Sequence, residues 1–154
     1  MRISVGRRVF KNSVDARSEM NAMFAKLRSI HLYAGWLFVL VFVLTDQYMR
    51  HVIHPAMEAD PVLRYSIRAN HIYILLFGLL HLGLGAYLQI SAKARQQRLQ
   101  LAGSVLLLLA AAIAVAAFFF EPKVGENRPA VLAAMVAAVV GAGLHLLGVR
   151  GETR

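Results

Sequence analysis

"RANHIYILLFGLLHLGLGAYLQ", residues 68–89, decides how this chain is read. No Asp, Glu, Lys or Arg interrupts it between Asn70 and Gln89, so it has the roughly 20 apolar residues that an α-helix needs to cross a hydrocarbon core. It also carries His71 and His81. A polar group left unsatisfied in hydrocarbon costs several kcal/mol, so each imidazole needs a hydrogen-bond partner, a metal or a wet cavity.

Three further stretches share this character. The four expected spans are 29–49, 70–90, 99–120 and 129–149. The chain of 154 residues is 58% hydrophobic and 16% charged, against about 45–50% and about 25% in soluble domains. The connections "SAKARQQR" and "EPKVGENR" are short, which makes sequential spans antiparallel neighbours. The expected fold is therefore all-α, an integral membrane four-helix antiparallel bundle in a lipid bilayer. Residues 1–28 form a basic cytoplasmic segment, 29–149 the transmembrane domain, and 150–154 a cytoplasmic tail. With no cysteine in the chain, disulfides and thiolate metal sites are excluded.

The net charge of +9 is a topology signal before it is a nucleic-acid signal. If the N-terminus lies inside, twelve cations are cytoplasmic: Arg2, Arg7, Arg8, Lys11, Arg17, Lys26, Arg28, Lys93, Arg95, Arg98, Arg150 and Arg154. Five lie outside: Arg50, Arg64, Arg68, Lys123 and Arg128. The positive-inside rule then places both termini in the cytoplasm, in an inner membrane of bacterial type. No nucleic-acid partner is needed.

"GRRVFK" (6–11) resembles part of a twin-arginine export signal. The apolar run that should follow is delayed to Ile30, and the segment reads as a basic tail. Met20, Met23, Phe24, Leu27 and His31 recur at helical spacing, consistent with an amphipathic lead-in to the first span. Pro55 and Pro61 bracket a short interfacial helix in the longest loop. In span four, Ala134, Ala138 and Ala142 form a small-residue row suited to close helix packing.

Three spans place a histidine on a face that also carries glycine. His71, Gly78, His81 and Gly85 share an arc of about 80° in span two. His31 and Gly35 share a face of span one, and Gly141 and His145 a face of span four. Rise along the helices sorts these histidines by depth. His31 and His145 lie about 12 and about 9 Å to the cytoplasmic side, His81 near the midplane, and His71 about 14 Å outward.

Facing imidazoles with glycine alongside suit haem iron, which takes axial histidines while its flat macrocycle lies against small residues. In this placement the chain is similar in architecture to small four-helix b-type membrane cytochromes. The expectation is one haem b held by His31 and His145, with Gly35 and Gly141 beside it. His81 would contact the haem edge, a quinone or a second haem. An outer polar cluster is expected from Asp46, His71, His51 and His54. The function implied is membrane electron transfer with a quinone pool. The competing reading is an accessory subunit of a membrane complex, whose histidines only make interhelical hydrogen bonds. A proton-coupled transporter is disfavoured because Asp46 is the only carboxylate in the spans.

Overall fold

The computed structural model describes residues 3–89, 91, 93–121 and 128–150. The described chain is helical: α1 (Ile3–His51), α2 (His54–Ala59), α3 (Pro61–Tyr87), α4 (Ala94–Phe120) and α5 (Pro129–Arg150). Four segments are long and apolar enough to cross a membrane, Ala25–His51, Pro61–Tyr87, Ala94–Phe120 and Pro129–Val149. The expected bundle is present. The lead-in forms one continuous helix with the first span, and that helix includes the twin-arginine stretch. Leu27 and His31 of its helically spaced row are buried, and the tail from 151 lies outside the described residues.

Proline starts three of these helices, where its missing N–H costs nothing and its fixed φ suits the first turn. Pro61 opens α3, and the Asp60 carboxylate accepts from Val62 N and Leu63 N at 2.9 and 3.1 Å. Pro55 lies in the first turn of α2, the short interfacial helix expected between the prolines. Pro129 opens α5. There the buried Glu121 carboxylate, at the end of α4, accepts from Ala130 N at 2.7 Å and from Val131 N. At the other end of the bundle Arg28 donates to the carbonyls of Gly85 and Ala86, placing a cation on the C-terminus of α3.

Span two therefore begins at residue 61 rather than 70. The apolar run is interrupted by Arg64 and Arg68, both exposed, whose long stems let the charge reach water while the helix continues. The correction moves the middle of the span from about residue 80 to about residue 74. His81 accordingly shifts by about 10 Å toward the Arg28 end.

The helices pack as two tight antiparallel pairs. In the α1–α3 pair, a Cβ on Gly35 would stand 2.7 Å from Leu82, and one on Gly85 2.5 Å from Leu32. In the α4–α5 pair, a Cβ on Gly103 would stand 2.6 Å from the Gly141 carbonyl oxygen. Such backbone approach is possible only without a side chain. Between the pairs the middle of the bundle is apolar: Phe77 packs with Ala110, Ala111, Ala114 and Ala134, all buried. Large side chains such as Tyr33, Trp36, Leu44 and Leu132 face outward, as a lipid-facing surface requires.

Gly103→Ala should lower stability by about 1–3 kcal/mol through overpacking against backbone. Gly143→Ala, whose Cβ would meet nothing within 4 Å, should be neutral or gain a few tenths from reduced backbone freedom. Thermal unfolding in detergent measures both, and equal midpoints would contradict the close approach.

Candidate functional site

Four polar side chains meet near the Arg28 end of the bundle, one from each spanning helix. His31 (α1) and His81 (α3) are fully buried; Ser104 (α4) and His145 (α5) are nearly so. His31 Nδ1 lies 2.8 Å from His81 Nδ1, and His31 Nε2 lies 2.9 Å from Ser104 Oγ. Ser104 Oγ in turn lies 3.1 Å from His145 Nε2. The order is His81–His31–Ser104–His145, a continuous chain across the bundle. Phe38 stacks on His81 at 5.6 Å, fixing that ring on its outer side.

Hydrogen-bond chemistry allows this chain two neutral arrangements. A neutral imidazole has one N–H and one accepting nitrogen, and a hydroxyl donates once while also accepting. In one polarity His145 Nε2–H donates to Ser104, Ser104 to His31 Nε2, and His31 Nδ1–H to His81. In the other every bond is reversed. The terminal atoms are His81 Nε2 and His145 Nδ1, and both are buried without a hydrogen-bond partner. His145 also lines an apolar cleft of about 360 Å³ between α3 and α5, with Gly83, Tyr87, Leu107, Ala142 and Leu146.

The expected axial pair, His31 and His145, is thus brought together, but through a hydroxyl. A macrocycle finds no slot in this packing. Ser104 Oγ occupies the space between the two rings, Leu82 fills the notch at Gly35, and Gly103 closes on Gly141. These glycines serve helix approach and do not cradle a flat ring. Nor is His81 a layer away from His31, as the depth estimate implied: the two rings are in contact at 5.0 Å. The error came from the start of span two.

The expected outer cluster assembles only in part: Asp46 lies close enough to His71 to act on it electrostatically, without a direct contact between them. His71 is buried, 3.0 Å from Thr45 Oγ1 and stacked on Phe42 at 4.0 Å. The Thr45 hydroxyl donates back to the carbonyls of Val41 and Phe42, so His71 Nδ1–H is the donor to Thr45. Asp46, one position and about 100° further around α1, instead pairs with Arg50 at 2.8 Å. His51 and His54 are exposed, and His54 lies 3.7 Å from Glu58 on its own helix. Among the described residues no three His, Asp or Glu side chains converge as a metal site.

A polar contact that the histidine-centred reading missed lies at this outer level. Asn70 is fully buried, its amide donating to the Ala117 carbonyl at 3.0 Å and its oxygen accepting from Arg128. Its signal was in the quoted stretch: a neutral amide at the start of an uncharged run. No protein family, curated protein or solved structure matches the chain.

Ser104→Ala should destabilise the protein by about 1–3 kcal/mol, because it leaves facing nitrogens of His31 and His145 buried and unpaired. Val105→Ala, on the exposed side of the same helix, is the control. Unfolding by denaturing detergent compares them, and a Ser104→Ala protein as stable as the control would show that the chain adds nothing to packing.

Proposed function

We propose that the chain is a small membrane redox component that receives a lipid-soluble quinone in the α3–α5 cleft and moves the accompanying proton along the histidine chain. One observation carries this reading: the chain ends in two buried, unpartnered ring nitrogens, one of them on a residue that lines the cleft.

A quinone combines a flat apolar body with carbonyl oxygens. It calls for an apolar cleft reached from the lipid and a hydrogen-bonding group at its wall. Leu107, Ala142 and Leu146 supply apolar lining, and His145 Nδ1 is a donor in one polarity of the chain. When a quinone oxygen takes up a proton on reduction, that N–H supplies it. His145 is then re-protonated at Nε2 through Ser104 and His31 from His81, one proton shifting along each bond. His81 takes up a replacement proton at Nε2 from the aqueous side, which leaves the chain in its other polarity. The electrons come from a redox partner. By the positive-inside rule the Arg28 end faces the cytoplasm, in an inner membrane of bacterial type.

Equilibrium dialysis of detergent-purified protein against short-tailed ubiquinone and menaquinone analogues tests the proposal. His145→Leu should weaken binding about tenfold, the worth of one hydrogen bond in a dry site. Ala142→Leu, which fills the cleft, should abolish binding, and His71→Leu should leave it unchanged. If the unaltered chain takes up no quinone, the redox reading falls and the accessory-subunit reading replaces it.

A further inference from the structure

A second groove, separate from the histidine chain, lies between α1 and α4 at the Arg28 end. It measures about 490 Å³, and Lys26, Leu27 and Ile30 face Gln97, Arg98 and Leu101 across it. Its composition has two tiers. Lys26 begins the first membrane span, and Arg98 lies about 6 Å along α4 from its first residue. Both cations therefore stand at the edge of the hydrocarbon. Deeper along the same groove come Ile30 and Leu101, each nearly half exposed at 47% and 46%.

Among the described residues the charge around the groove is one-sided. Neither Lys26 nor Arg98 makes an ion pair among the described residues. The described carboxylates, Asp46, Glu58, Asp60 and Glu121, all belong to the opposite end of the bundle. Arg28, in contrast, is already committed to the carbonyls of α3. Two cations without an ion-pair partner among the described residues, above an apolar trough, match a molecule with an anionic head and a hydrocarbon tail.

We propose that this groove is a binding site for an anionic phospholipid, its phosphate between Lys26 and Arg98 and an acyl chain along Ile30 and Leu101. Each cation near an anionic headgroup contributes about fivefold in affinity. The occupant is committed by charge complementarity and depth. A neutral lipid would offer the two cations no net negative charge, and a soluble phosphate would leave the trough unfilled.

Native mass spectrometry of the full chain in detergent, titrated with phosphatidylglycerol and with phosphatidylcholine of the same acyl chains, tests this. Phosphatidylglycerol should give a 1:1 adduct that phosphatidylcholine and inorganic phosphate do not. Lys26→Gln and Arg98→Gln should each weaken it about fivefold and the pair about 25-fold, with helicity by circular dichroism unchanged. Arg64→Gln with Arg68→Gln, at the opposite end, should leave the adduct intact. The proposal is overturned if the groove double variant keeps the adduct, or if the opposite-end variant loses it equally. It is also overturned if inorganic phosphate binds as well as the lipid does. These outcomes are independent of quinone binding.

Discussion

Hydrocarbon offers no hydrogen bonds, so an imidazole nitrogen between these helices must find its partner within the protein or go without. His31 meets that constraint with both ring nitrogens, one toward α3 and one toward α4. Ser104 extends the solution to α5, because a hydroxyl is small enough to fit beside Gly103 and can donate and accept at once. The depth at which the four helices come into register follows from these contacts. Sliding one helix by a single turn, about 5.4 Å, would break the chain and leave imidazoles unsatisfied.

The bundle divides its labour between two kinds of contact. Within each tight pair the adhesive is close backbone approach at glycine, with Gly35, Gly78 and Gly85 in one and Gly103 and Gly141 in the other. Across the seam between pairs, polar contacts act at two levels. The histidine chain joins them near one end, and Asn70, held by Ala117 and Arg128, joins them near the other. Phe77 and the alanines fill the layer between. The second helix of each pair also repeats a motif: His81 lies between Gly78 and Gly85, and His145 between Gly141 and Gly148, seven residues from glycine to glycine in both.

Much of this was legible in the residues. Four apolar runs of the right length led directly to four helices, because a bilayer leaves the backbone few alternatives. The pairing of His31 with His145 by depth was also within reach, since both of those spans were bounded well. His81 was misplaced because Arg64 and Arg68 look like a loop in composition, whereas Asp60 and Pro61 are the start signals that α3 obeys. The glycines were ambiguous in kind. A residue without a side chain makes room equally for a cofactor or for a neighbouring helix, and only the position of Leu82 or Gly141 tells which. Asp46 and its neighbour Thr45 are one step of helix rotation apart, and that step gives Thr45 the inward place beside His71 and leaves Asp46 for Arg50.

The polarity of the histidine chain has a consequence for timing. In the proposed relay, passage of one proton from His81 to His145 converts every bond of the chain to its reverse, so a second proton travelling the same way finds donors where it needs acceptors. Ser104 can reset by turning its hydroxyl, which costs little. The imidazoles can reset only by flipping, and His81 is held against Phe38 and His31 in a core with no slack. A relay built this way would deliver one proton per stroke, the next waiting until the imidazoles have returned to their first tautomers.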